Sequence, residues 1–223
     1  MSYMRSEARQ RQILACAKRV FARHGFHAAN ISDICEAAGI GRGTLYQYFA
    51  NKRSVLQAIL RETLDRVRAL MARQEQALLV TGFAPPEKVT RTAAIEFSAR
   101  GLREVLEVVF ADEDTLRILL REAVGLDVDI EKMLGEIDEA LIAIVERSLV
   151  ASQKAGFTRE LDAHAVAILV VGGVEKLALS ALRSAQPSDL QKIDLEKLAL
   201  EATRLHAIGV FSDRLKPEPG ATK

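Results

Sequence analysis

Tryptophan is absent from this 223-residue chain, aromatic residues make up 5%, and there are 5 prolines, 13 glycines and 2 cysteines. So few breakers, with no run that alternates Val, Ile or aromatic residues with polar ones, exclude a sheet-rich fold and predict an all-α protein. Cys16 and Cys35 both sit in apolar helical surroundings and lack the spacing of a disulfide framework or a metal site. They are expected to be buried, reduced thiols. No stretch of about 18 uncharged apolar residues occurs, and the opening MSYMRSEARQRQ has no apolar signal core, so no membrane partner and a cytoplasmic location are expected. The nearest contender, residues 165–174, is bounded by His164 and Glu175 and reads as a buried helix.

Catalytic machinery is missing as well. The four histidines, His24, His27, His164 and His206, are scattered without obvious partners, and no glycine-rich phosphate loop or nucleophile motif is present. Asp127, Asp129 and Glu131 alternate as in a calcium loop, but Lys132 stands where such a loop needs glycine, so they read as a helix amino terminus. The expectation is a protein that is not an enzyme and carries no cofactor and no metal.

What the chain does have is 49% hydrophobic residues, enough for one small and one medium helical domain, and an uneven charge. Residues 1–60 hold 9 Lys+Arg against 3 Asp+Glu, a balance of +6, whereas residues 61–223 hold 22 against 27, a balance of −5. A basic head on a mildly acidic body suits a protein that sets only its head on a polyanion.

Within that head, residues 30–52 read NISDICEAAGIGRGTLYQYFANK. Asn30 with Asp33 forms a capping-box-like start, Ile34, Ala37 and Ala38 supply an apolar side, and Gly39 can take the left-handed turn that ends the helix. A second short helix begins near Arg42, with Leu45 and Phe49 four apart on one face. Arg42, Thr44, Gln47 and Tyr48 are left on the other. A helix so short persists only when held by its neighbours, as the recognition helix of a helix-turn-helix is. Arg42 and Gln47 carry side chains able to pair with guanine or adenine edges, and Gly43 lets the helix start approach a groove closely. Thr44, Tyr48 and Lys52 supply donors along what could be one phosphate track. The plainer alternative is a surface helical hairpin in a helical protein-interaction module that binds no specific DNA sequence.

This block, with the preceding AKRVFARHGFHAANI, resembles the TetR-type transcriptional regulators over about a quarter of the chain. It departs from that family at Asn30, where Thr is usual, and at Ala50, where a basic residue is common and one phosphate contact is lost. The resemblance implies that Thr44, Tyr46, Tyr48 and Lys52 mostly hold phosphates; for Tyr46, simple packing is the alternative. With Asn30 and Ser32 at the start of the preceding helix, these complete the expected DNA-binding set of Asn30, Ser32, Arg42, Gly43, Thr44, Tyr46, Gln47, Tyr48 and Lys52.

Around this block, a first helix is expected over Ser6–His24, packing Ile13, Val20, Phe21, Phe26, Ile31, Ile34, Ile40, Leu45 and Phe49 into the core of the head. Asn51 can cap a long helix from Lys52 to about Leu79. Further helices are expected from Pro86 to Phe110, from the acidic Asp112–Asp114 to Val124, over Asp129–Ala155, Leu161–Ser184 and Ser188–Phe211. The predicted organisation is a three-helix DNA-binding domain over 1–51, a helical ligand-binding and dimerisation domain over 52–214, and a flexible tail over 215–223. Gly172 and Gly173 inside a helix each cost about 1 kcal/mol relative to alanine. A close helix-helix approach would offset that, and a kink is the other reading. The resemblance implies a homodimer closed by the last two long helices, with Leu169, Gly172, Gly173, Leu177, Leu198 and Leu205 at its interface. Surplus apolar residues, among them Met71, Phe83, Phe97, Phe110 and Met133, make an apolar cavity plausible, a fully packed core being the other reading; His164, on an otherwise apolar helix, is a candidate ligand contact, and a satisfied core or interface histidine is the plainer reading. The resemblance implies that such a cavity takes a small-molecule effector, hydrophobic or amphipathic, that releases a near-palindromic double-stranded operator.

Overall fold

The computed structural model describes the backbone of residues 2–81, 85–183 and 193–210, and the side chains of residues 6–76, 85–180, 182–183 and 193–204. Phe83, Phe211, the segment 215–223 and the side chain of Leu205 lie outside the described residues. Among the described residues the chain is α-helical without a β-strand. The helices are α1 (Ser2–His24), α2 (Ile31–Ala38), α3 (Arg42–Tyr46), α4 (Lys52–Thr81), α5 (Arg91–Phe110), α6 (Glu113–Arg117), α7 (Val128–Lys154), α8 (Ala163–Arg183) and α9 (Leu195–Val210). A π-helical turn, Ile118–Glu122, continues α6.

Several starts differ from expectation, α1 opening at Ser2 and α8 at Ala163. Pro86–Lys88 forms only a 3-10 turn, and α5 begins at Arg91, because Val89 is extended and the Thr90 hydroxyl accepts the Ala93 amide at 3.2 Å. Likewise α9 begins at Leu195, where Asp194 accepts the Lys197 amide at 2.9 Å.

The chain forms two compact units. One comprises residues 1–65 and 112–137, the other residues 66–111 and 138–223. The three-helix head therefore shares its unit with the start of α4, with α6, the π-turn and the start of α7.

In the first unit Ile13, Phe21, Ile34, Leu45, Leu56, Ile59 and Leu60 are fully buried. Each such side chain contributes roughly 1.5–3 kcal/mol on burial, which is what holds helices as short as α2 and α3. Val20 and Phe49 are also in the core, whereas Phe26, Ile31 and Ile40, at element ends, are half-buried. Cys16 and Cys35 are buried free thiols, and the Cys16 Sγ donates to the Ala37 carbonyl at 3.2 Å. Lys18, only 6% exposed, lies 3.0 Å from Glu62 and 3.2 Å from Asp112. Burial works to raise the Asp112 carboxyl, but the hydroxyl and amide of Thr115, which it caps, together with Lys18 hold it below the usual carboxylate range.

In the second unit Val67, Leu70, Val105 and Ile144 form a core with Met71, Val108, Val109, Ala140 and Leu141 against it. Helix α5 packs on α9, where Arg103 bridges to Glu107 at 2.9 Å and Glu196 at 3.4 Å. Helix α8 is not the buried helix expected from its composition. Ala163–Ser180 is apolar enough to cross a membrane by length and composition, yet only 22% of it is buried within the chain. Its inner side, Ala167, Val171, Ala178 and Leu182, is packed, while Ile168, Leu169 and Leu177 are 45%, 70% and 45% exposed.

Candidate nucleic-acid interface

The site is built on three local devices. Asn30 Oδ1 accepts the amides of Ser32 at 2.8 Å and Asp33 at 3.2 Å, while Asp33 accepts the Asn30 amide at 2.8 Å, a complete capping box that starts α2. Gly39, at φ 63° and ψ 39°, reverses the chain, and the Ile40 amide closes onto the Cys35 carbonyl at 3.0 Å. Asn51 and Ser54 bond reciprocally, Ser54 N to Asn51 Oδ1 at 2.8 Å and Asn51 N to Ser54 Oγ at 3.1 Å, and so start α4.

Between these ends, Leu45 (0% exposed) and Phe49 (5%) pin α3 from beneath. Arg42, Gly43, Tyr46 and Gln47 are exposed on its outer side, and Thr44 and Tyr48 are half-buried beside them. Tyr46 is 53% exposed, so its ring is not a core packing residue. The Arg42 Nε donates to Ser32 Oγ at 3.0 Å, and its Nη2 reaches the same oxygen, which joins α3 to the start of α2. An added Cβ at Gly43 would meet nothing within 4 Å. The protein's own packing therefore does not require glycine there. Asn30 has its oxygen engaged by the cap, leaving its Nδ2 to donate outward.

Lys52 departs from expectation. Its ammonium donates to the carbonyls of Phe26 at 2.6 Å, His27 at 3.2 Å and Ala29 at 2.7 Å, and lies 4.5 Å from the centre of the Phe26 ring. All three N–H donors are engaged inside the protein, so Lys52 does not join Thr44 and Tyr48 as an open donor.

Long-range contacts that sequence reasoning missed tie this head to residues 112–137. Besides Lys18 with Asp112, the Phe26 amide donates to Glu122 Oε2 at 3.2 Å, and Arg53 holds Asp127 and Asp129. Asp127 also accepts the amides of Asp129 and Ile130, each at 3.0 Å, and is thus the helix start expected of this acidic run. No spacing signal could have revealed these partners, which lie 74 to 96 residues apart.

The residues expected to bind an effector fall in both units. Met133 belongs to the first unit; Met71, Phe97, Phe110 and His164 belong to the second. Met71 packs on the core, Phe97 is 50% exposed, Phe110 is half-buried at the end of α5, and the exposed His164 places Nδ1 3.0 Å from Glu146. An open groove of about 370 Å³ runs along α7, lined by Ala143, Glu146, Arg147, Val150, Ala151 and Lys154. Of the expected interface residues, Leu169, Gly172, Gly173 and Leu177 are exposed on α8 and Leu198 is half-buried on α9. An added Cβ at Gly172 or Gly173 would meet nothing within 4 Å, so no close approach among the described residues accounts for either glycine.

Comparison with known proteins agrees with this geometry. Residues 13–59 match the family described as bacterial regulatory proteins, tetR family. The repressor KstR2 of Mycolicibacterium smegmatis is 34% identical over 106 residues, which cover 48% of this chain and half (50%) of that relative's own length. Among solved structures, the Bacillus subtilis regulator FadR in complex with stearoyl-CoA aligns at a TM-score of 0.64 and 21% identity, covering 89% of this chain and 97% of FadR. SmeT in complex with triclosan aligns at a TM-score of 0.70 and 20% identity, covering 97% and 98%. Residues 13–59 therefore carry the helix-turn-helix of the tetR family, on an all-helical body that shares the fold of these solved structures.

Proposed function

We propose that this protein is a repressor that binds a near-palindromic operator as a homodimer, placing α3 of each subunit in successive major grooves, and that a small hydrophobic or amphipathic effector releases it. The observation that carries this reading is α3 itself, pinned by Leu45 and Phe49 and turning Arg42, Gly43, Tyr46 and Gln47 outward. Arg42 and Gln47 would read base edges, while Asn30, Ser32, Thr44, Tyr46 and Tyr48 would hold phosphates. The open space at Gly43 fits a position kept bare for a groove wall.

Dimerisation is supported by the exposed apolar side of α8, where Ile168, Leu169 and Leu177 flank the bare Gly172 and Gly173. A second copy of the same face would cover it as a symmetric patch. Two α3 helices so paired should span half-sites about one turn, roughly 34–36 Å, apart or somewhat more. Acting on DNA, the protein would work in the cytoplasm.

For the effector, support comes from proteins of the same fold that hold stearoyl-CoA and triclosan. To weaken DNA binding about a hundredfold, a ligand needs about 2.7 kcal/mol of preference for the DNA-free form. Stearoyl-CoA and triclosan are therefore the first probes in a thermal-shift and operator-release assay.

Selection from a random duplex library at low salt tests the core of this reading. An enriched inverted repeat whose binding falls steeply with salt is expected. Recovery of no repeat would leave a helical interaction module in its place.

A further inference from the structure

We propose that Lys52 is a positioning residue for DNA reading: its ammonium fastens the Phe26–Ala29 turn and so sets the amino end of α2, and it is not a phosphate anchor. The inference rests on the DNA-binding reading above.

An ammonium has three N–H donors and no more. In Lys52 all three are directed at carbonyls of a single turn, Phe26 at 2.6 Å, His27 at 3.2 Å and Ala29 at 2.7 Å, and the charge lies 4.5 Å from the Phe26 ring centre. These are charge-assisted bonds, about twice as strong as neutral ones, and a cation–π contact adds to them. A phosphate could engage Lys52 only by displacing a carbonyl that would then lack its partner. The turn has a second fastening, since Glu122 of the π-turn accepts the Phe26 amide at 3.2 Å.

What the turn controls follows from the next residues. Asn30 comes directly after Ala29 and caps α2, and Ser32 in the first turn of α2 receives Arg42 from α3. A chain of contacts thus runs from Lys52 through the turn to the cap, then to Ser32, and finally to the residue proposed to read a base. Loss of the ammonium frees the turn and, with it, the hydroxyl that steadies Arg42.

The test uses Lys52→Met, which keeps an unbranched apolar stem and removes every donor, and Lys52→Arg, whose planar fork cannot direct three donors at three converging carbonyls. Binding to the selected duplex is titrated across salt, and amide hydrogen exchange is measured on the free full-length protein. Lys52→Met should bind about tenfold or more weaker, with the log-log salt slope unchanged and faster exchange over residues 26–33. Lys52→Arg should keep the slope and leave exchange fast. Combined with Arg42→Ala, Lys52→Met should fall short of a multiplicative loss by about twofold or more, because the two act through one network; a merely structural lysine would give multiplicative losses.

A slope smaller by about 0.9 per subunit, with exchange unchanged, would make Lys52 a phosphate anchor and overturn the proposal. Multiplicative losses would overturn it in favour of a structural role. If wild-type protein selects no duplex at all, the DNA-binding reading fails and the positioning role with it, while the exchange comparison still reports whether Lys52 fastens the turn.

Discussion

The guanidinium of Arg53 on α4 grips the carboxylate of Asp127, with Nε and Nη2 each 2.9 Å from one of its oxygens. Asp127 is at once the cap of α7 and the anchor of α4. The hydrogen bond from Arg53, foremost, and then the Ile130 amide hold its carboxyl at about 2, below its ordinary value of 3.8. Because the folded value is the lower one, the stabilisation is present above about 3.8 and is lost as pH falls through about 2. Urea midpoints measured from pH 5 to pH 2 should show that loss, and Arg53→Met should show a smaller one.

Gly43→Ala separates folding from reading. Beyond α3 itself the new methyl group meets nothing within 4 Å among the described residues, so the substitution should leave the melting temperature unchanged or raise it, the gain in stability being at most about 1 kcal/mol of helix propensity. Affinity for the selected duplex should fall, since the methyl stands where the groove wall would approach. A thermal melt and a titration on the same sample decide it.

The exposed face of α8 gives a third prediction. Leu169→Asp places a charge on a side chain that is 70% exposed in the single chain, and Gly173→Asp fills open space, so neither should unfold the subunit. Both should shift the protein to monomer by size-exclusion chromatography with light scattering and weaken operator binding. An unchanged elution volume for both would move the interface elsewhere.

The fourth concerns two half-buried carboxylates in the second unit. Burial, and then the charge of Asp138, raise the Glu175 carboxyl above its ordinary 4.5; burial, and then Glu139, raise Asp138. An acid whose folded value is raised destabilises the fold when ionised, and that penalty disappears as pH falls below the unfolded value. Glu175→Gln should therefore raise the melting temperature at pH 7, with the gain shrinking as the pH falls through the acid's titration toward about 4. Equal gains at both pH values would show that ionisation is not the cause.

Much of the candidate interface was legible because it is built from contacts within four or five residues. The Asn30–Asp33 capping box, the Gly39 reversal, the Leu45–Phe49 pair and the Asn51 cap each follow from local backbone geometry, which spacing encodes directly. Apolar residues in helices announce that they pack, and not against what; Met133 falls in the first compact unit and Met71 in the second.

The charge of the head shows where the division falls. The amino-acid sequence alone determined an all-helical chain whose first 60 residues carry a balance of +6 and present a polar, aromatic α3 face. Only the tertiary structure decided which of those cations can meet a polyanion. Residues 112–137 bring 8 Asp+Glu against 3 Lys+Arg into the same unit, and Lys18 and Arg53 are answered by Asp112 and Asp127. Lys52 is turned to three carbonyls of its own chain. Helix periodicity constrains a side chain's direction on its own helix; the group it meets is set by which distant segment packs alongside, and that depends on the whole folded chain.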